Sequence, residues 1–371
     1  MPAQNIGMPL SERPNSLYWD PTANDGQGGS ITTHSMVKTF RRCPKQAEYK
    51  YYHRLLPKRL GSPLKRGTWV HALLEAYHSG QDWKEVHARY SHEFNQLFDE
   101  EKDYYGDMPT EIYRMMSAYI WHYKNDPWEW IDTEFTLEAK LPDGTIARGK
   151  IDSLIRNAFG LWIVDHKTHK SLPDHNFRLM DAQSAEYLWL AQENGIEVQG
   201  FIWNYLRWKP PSVPKLLVKG DRISDSGLDT DYPTFVRALK KYKQESPNFQ
   251  IREKDRELAR YLKSQQYEFG KPQTSSFFRR DVFEKTPDLL ERVMQGFYRT
   301  SQRLHSYDFS DPDMVERVPE RSCTFACNYV DICAAELLTG DSRSLRKSNY
   351  KVGDPNYYYN DNETKYEKEE R

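Results

Sequence analysis

The sequence predicts an α/β fold: a helical N-terminal part, a run of alternating strands in the middle, then a helix and a returning strand. Three observations carry this. Between Thr33 and about residue 127 apolar residues recur at helical spacing, as in GTWVHALLEAYHSG, where Trp69, Leu73, Leu74 and Tyr77 are helically spaced and Gly80 ends the run. From about residue 128 the period falls to two in EWIDTEFTLEAKL, IARGKIDSLIR and LWIVDHK, with PDGT and NAFG as the turns between them. A helical stretch from about Asn176 to Asn194, closed near Gly195, then leads into the strand EVQGFIWNYLRW.

Taken in order, residues 1–32, with Pro, Asn, Ser and a GQGG run, read as an irregular arm. Helices begin at Thr33, and Pro44 suits the first turn of a second one. The main domain is placed at 33–340, with a helical part at 66–127, a core at 128–209 and a largely helical insertion at about 210–275, opened by PPSVP. A C-terminal helix and a cysteine group fill 276–340. There SSFFRRDVFEK adds a strand, and TPDLLERVMQGFYRTSQRLH is a helix capped by Thr286 with Asp288 in its first turn. The polar tail, 341–371, is expected to be disordered.

With 371 residues the chain can bury a sizeable core, and its mean hydropathy of -0.88 points to a polar surface around an aromatic-rich interior. No apolar run approaches the roughly 18 residues needed to cross a bilayer, and the opening MPAQNIGMPLSERPNSLYWD lacks a charged and an apolar leader region. A cytoplasmic protein with no membrane partner is expected. The net charge of -1 argues against indiscriminate coating of nucleic acid. Charge is unevenly spread, however: Lys38 to Arg66 holds ten Lys or Arg against the single acid Glu48, interleaved with Tyr49, Tyr51 and Tyr52. That mixture suits a groove tracking a phosphate backbone.

The hairpin IDSLIRNAFGLWIVDHK permits a geometric test. If NAFG is a symmetric turn, its midpoint falls between Ala158 and Phe159, so Asp152 and Asp165 lie equally far from it and face each other. Lys167, two residues on from Asp165, joins the same surface. Opposed carboxylates repel unless a cation sits between them, which makes the pair a natural seat for a divalent ion. On the preceding helix His71 and Glu75 are four apart and share a face, so both can point at one ion.

The string GKIDSLIRNAFGLWIVDHKT resembles the core of the PD-(D/E)XK nuclease superfamily, with Asp152 at its first acidic motif and Asp165-His166-Lys167 at its (D/E)-x-K motif. GTWVHALLE is similar to the G-x-x-x-H motif of the RecB-like branch, with Gly67 the motif glycine, His71 a metal-binding histidine and Glu75 the helix acid. Gln183 and Tyr187 in DAQSAEYLWL resemble the Q-x-x-x-Y motif that orders the site and contacts DNA. The resemblance implies a restriction-endonuclease-like core, a mixed central sheet flanked by helices. It also implies Mg²⁺ or Mn²⁺ held by His71, Asp152 and Asp165, with Lys167 assisting the attacking water. His166 departs from the usual apolar middle position, and strand alternation points it away from the metal. Lys45, Arg66, Arg148 and Arg207 are candidates for phosphate contacts.

Cys43, Cys323, Cys327 and Cys333 are all the cysteines in the chain. In a cytoplasmic protein such a group suggests metal ligation, and thiolates accept either Zn²⁺ or an iron-sulfur cluster. SMVKTFRRCPKQAEYKY and the Cys327-x5-Cys333 spacing resemble nucleases of the CRISPR-adaptation type, the AddB subunit and phage exonucleases that bind [4Fe-4S], and imply that cofactor ahead of Zn²⁺. The interval from Cys323 to Cys327 is one residue longer than is usual there.

By resemblance the expected function is a phage-type DNA exonuclease working on DNA ends or single strands in recombination, repair or replication, alongside a recombinase or a single-strand-binding protein and in the host cytoplasm if phage-encoded. A CRISPR-adaptation nuclease trimming spacer precursors and a catalytically silent DNA-end-binding scaffold are the alternatives. Retention of Asp152, Asp165 and Lys167 weighs against the scaffold.

Overall fold

The computed structural model describes residues 30–174, 181–284, 286–338 and 340–353. It opens with a three-residue strand, β1 (Ile31–Thr33), so the end of the expected irregular arm belongs to the sheet. Three β-branched residues favour the extended chain, but a strand this short has no readable period. Thr33 then caps α1 (His34–Arg42), its hydroxyl accepting from the Met36 N–H at 3.3 Å. Cys43 breaks that helix in an extended conformation. Pro44 opens α2 (Pro44–Ala47), which runs on as a π-helical turn, Glu48–Tyr52. A short strand, β2 (Leu55–Pro57), precedes the helical layer.

That layer comprises α3 (Ser62–His78), α4 (Trp83–Asn95), α5 (Asp99–Tyr105) and α6 (Met108–His122). Trp69, Leu73, Leu74, Met115, Met116 and Tyr119 are buried between these helices and one face of the sheet. The sheet itself is built from β3 (Glu129–Lys140), β4 (Ile146–Asn157), β5 (Gly160–His169), β6 (Val198–Arg207) and β7 (Phe278–Glu284), with α7 (Ala182–Glu193) between β5 and β6. Strands β3, β4 and β5 form the antiparallel meander, β6 returns parallel to β5, and β7 pairs antiparallel with β6. This is a mixed sheet with helices on both faces. Strand β1 lies parallel to the first residues of β4, from Ile146 to Arg148. The predicted start of α7 at Asn176 lies outside the described residues.

The insertion carries α8 (Tyr232–Glu245) and α9 (Glu253–Ser264), which close over their own apolar cluster of Ile223, Phe235, Leu239, Phe249 and Leu262. Helix α10 (Pro287–Ser306) covers the sheet beside α7. Thr286 is at its N-cap position, but the side chain makes no cap hydrogen bond; Pro287 fixes the first turn instead. Helices α11 (Cys323–Ala326) and α12 (Val330–Leu337) carry the downstream cysteines. The tail expected to be disordered from residue 341 is ordered at its start, forming α13 (Ser342–Asn349) and β8 (Tyr350–Val352), which pairs with β2. A polar composition missed this because Tyr350, Leu345 and the strand hydrogen bonds suffice to dock it. No helix among the described residues is long and apolar enough to cross a membrane.

Helix α7 sits directly on β4. An added Cβ at Gly149 would lie 2.6 Å from Leu190 Cδ1 and 3.0 Å from Tyr187 Cε1. Gly149→Ala is expected to cost about 1–3 kcal/mol through overpacking, read as a lower urea midpoint with unchanged slope. An unaltered midpoint would mean that α7 is not seated on the sheet as described.

Candidate metal centre and cysteine site

The hairpin register is the one a symmetric turn implies, with Asn157 paired to Gly160 and Ser153 to Val164. There the ladder stops. Asp152 and Asp165 do not face each other across paired strands, as the sequence geometry expected. Instead Asp152 Oδ2 turns into the space between β4 and β5 and accepts the His166 backbone N–H at 2.7 Å. Strand alternation slips at this point: Ile151 and Leu154, three apart, pack into the same core cluster. Since β1 covers β4 only to Arg148 and β5 only from Ser153, a notch is left in the sheet, with Asp152 in it.

Side chains enter the notch from both faces. From α3, His71 Nδ1 comes within 3.4 Å of Asp152 Oδ2 and 3.9 Å of Glu134 Oε1. Glu134 sits on β3 opposite Asp152, between the pairs Thr133–Ser153 and Phe135–Ile151. Its φ of 54° is unusual for a residue with a side chain and marks local strain. His71, Glu134 and Asp152 each offer a ligand atom, and these atoms lie within 4.8 Å of one another. An imidazole and two carboxylates suit a divalent ion. Lys150 Nζ holds the other oxygen of Glu134 at 3.1 Å.

Asp165 is turned differently. It forms an ion pair with Lys167, and its Oδ1 accepts from Gln183 Nε2 of α7 at 3.0 Å. Glu75 stands one turn beyond His71 on α3, partly buried, and is not one of the three grouped side chains. His166 points to the opposite face of β5, where Asn204 lies 2.8 Å from Nδ1 and Ser153 3.4 Å from Nε2.

Burial opposes charge throughout this notch, and close partners decide the outcome. For His71 the burial penalty is outweighed by Asp152 and Glu134, and its pKa rises to about 10. Asp152 is buried too, yet His71 and Lys167 hold it well below the usual carboxylate range. For Asp165 burial dominates and the Asp152 charge adds to it, so that even beside Lys167 its pKa is pushed up to about 6. Burial brings His166 down to about 3, keeping it neutral.

Several expected DNA contacts are placed elsewhere. Lys45 is 1% exposed, bonded to Glu48 at 2.6 Å and to the Pro312 carbonyl at 2.9 Å. Arg66 is 3% exposed, paired with Glu111 at 2.9 Å and stacked on Trp208. Both are internal ties, unable to reach a phosphate without losing buried partners. Arg148 pairs with Glu138 and Arg207 with Asp229. Tyr187 is buried against Gly149 and Phe201. Glu134 and Lys150 are the residues that sequence reasoning missed. The turn between β3 and β4 takes in Leu141 as well as PDGT, so its flanking pair is Lys140–Ile146 and Glu134 falls opposite Asp152, whereas reflection about PDGT alone would have put Phe135 there.

At the other end of the domain, Cys43, Cys323, Cys327 and Cys333 line one cavity of about 180 Å³ together with Lys45, Tyr49 and Arg317. None forms a disulfide. Burial raises the Cys327 pKa, with Arg42 opposing that.

The family model of the PD-(D/E)XK nuclease superfamily matches residues 32–334. No curated protein matches the chain. Among solved structures, a candidate exonuclease from Eubacterium rectale is 12% identical over 80% of this chain and 92% of its own, with a TM-score of 0.39. A protein titled SSO0001 is 16% identical over 58% of this chain and 75% of its own, with a TM-score of 0.22.

Because the folded pKa of His71 exceeds its unfolded value of 6.5, its stabilisation is fully present below that value and is lost as pH rises through about 10. In metal-free protein His71→Gln should therefore lower the melting temperature at pH 7, and the gap to wild type should close above pH 10. A gap independent of pH would show that His71 is not charged in the metal-free fold.

Proposed function

Because the chain belongs to the PD-(D/E)XK nuclease superfamily, we propose that it is a metal-dependent DNA exonuclease hydrolysing phosphodiester bonds at DNA ends, of the phage type that serves recombination or repair. The observation that carries this reading is the notch itself, where His71, Glu134, Asp152, Asp165 and Lys167 converge on the point at which β4 and β5 part. His71, Asp152 and Asp165 are the proposed ligands of Mg²⁺ or Mn²⁺, with Glu134 beside them. The donor set fits such an ion in chemistry, an imidazole nitrogen and carboxylate oxygens. When bound, the ion supplies positive charge against the negative charge developing on the phosphoryl group, and eases deprotonation of water.

The chain's own groups do the positioning. The His166 N–H fixes one oxygen of Asp152, and the Gln183 amide fixes one of Asp165, so each carboxylate presents its remaining lone pairs in a set direction. Lys167, whose side chain is 24% exposed, brings an ammonium to the mouth of the notch, where it can orient the attacking water and stabilise the scissile phosphate.

The cysteine cavity is assigned to [4Fe-4S] ahead of Zn²⁺. Four thiols lining one cavity fit either group in donor type. The preference rests on the resemblance of the Cys43 stretch and the Cys327-x5-Cys333 spacing to cluster-binding nucleases. The cluster would clasp the N-terminal helices to the C-terminal ones, closing the domain around the sheet.

Digestion of end-labelled single- and double-stranded DNA with and without Mg²⁺ or Mn²⁺ tests the activity. Asp165→Ala and Lys167→Ala should each lower cleavage by about 10²–10⁴-fold, while leaving a folded protein that still retains DNA. Near-normal cleavage by either variant would refute the assignment.

A further inference from the structure

The family match ends at residue 334, yet the ordered chain continues and turns back over the cysteine site. This C-terminal strap, α13 and β8, is hydrogen-bonded to the N-terminal limb of that site. Leu55 pairs with Val352 and Pro57 with Tyr350, the Lys58 N–H donates to the Asn349 carbonyl at 2.8 Å, and Lys58 Nζ donates to the Lys347 carbonyl at 2.6 Å. It also grips the C-terminal limb at two points. Tyr350 donates its hydroxyl to the carbonyl of Asn328, the residue after Cys327, at 2.5 Å, and stacks on Tyr329 at 5.5 Å. Arg346 donates to Glu336 at 2.6 Å, one helical turn beyond Cys333 on α12.

Glu336 is in turn a hub. It accepts from Tyr49 at 2.5 Å and Arg317 at 3.0 Å and lies 3.5 Å from Lys45, all three of which line the cysteine cavity. Tyr329 closes the ring by donating to the Leu55 carbonyl at 2.7 Å. Cys43 and the three downstream cysteines come from opposite ends of the chain, so their mutual placement depends on what ties those ends together. The strap bonds to both ends at once.

We propose that Arg346 and Tyr350 are positioning residues of the cysteine site, and that the strap carrying them holds the two limbs together and limits escape of the bound metal. This rests on the reading of the four cysteines as metal ligands. It follows physically because groups that fix ligand orientation, without touching the ion, commonly change metal retention by one to two orders of magnitude. A ligand set drawn from distant chain segments has the most to lose when such a tie is cut.

The test uses anaerobically purified protein. Metal content and visible absorption are recorded first, then the rate of metal release to an excess of a strong iron chelator is measured at a temperature where circular dichroism shows every variant folded. Arg346→Ala, Tyr350→Ala and a chain ending at residue 340 should release metal about tenfold faster than the full chain, while Arg346→Lys, which keeps the ion pair, should stay close to wild type. If the shortened chain does not fold, the two point variants decide. Release within twofold of wild type from both point variants would overturn the proposal and leave the cysteine assignment intact. Metal-free full-length protein, or metal content unchanged in Cys333→Ser, would instead overturn the assignment on which it rests.

Discussion

Two buried aspartates and a buried glutamate share one notch in the sheet, and the groups around the notch are arranged to meet the cost of their charge. Asp152 and Asp165 cannot both be ionised and dry without cationic or hydrogen-bonding neighbours. The chain meets this by giving each its own partners. Asp152 is turned towards His71 and the His166 N–H, Asp165 towards Lys167 and Gln183, and Glu134 is given Lys150. What remains under-compensated is Asp165, whose pKa is pushed up to about 6.

The architecture exists to bring those neighbours in from both sides. A meander supplies the three acids on consecutive strands, and the early end of the β4–β5 ladder opens the space between them. Helix α3 delivers His71 through one face, and α7 delivers Gln183 through the other. Each helix is pinned by packing close to the residue it presents. Trp69, Val70 and Leu73 are buried beside His71, and Leu190 and Tyr187 sit on the bare backbone of Gly149. Gly149 thus matters to Asp165 through α7, because a side chain there would lift the helix that presents Gln183 to it.

The basic, aromatic stretch near the N-terminus is used inwardly to a degree that its composition did not suggest. Lys45 is buried between Glu48 and Glu336, and Tyr49 lies under Arg346. Acids close by and far off in the chain draw Lys45 inside, while Lys38, Arg41, Lys58 and Arg59 of the same stretch stay exposed. Arg66 is likewise paired, with Glu111 of α6.

By itself the sequence determined the local matters: the change of period at about residue 128, the meander and its turns, the helix over His71, and the register of the β4–β5 hairpin. These depend on side-chain period and turn chemistry, which act over a few residues. It also marked Asp152, Asp165 and Lys167, since a symmetric turn fixes which strand residues approach. The tertiary structure alone decided the rest. That the two aspartates are held by different partners is set only in the fold, where α3 brings His71 to one and α7 brings Gln183 to the other. That residues 31–33 and 341–353 are ordered follows from strand partners remote in sequence, which no local pattern encodes. Whether a charged residue faces water or another charge is likewise a property of the folded chain, because only folding sets the distance between ions.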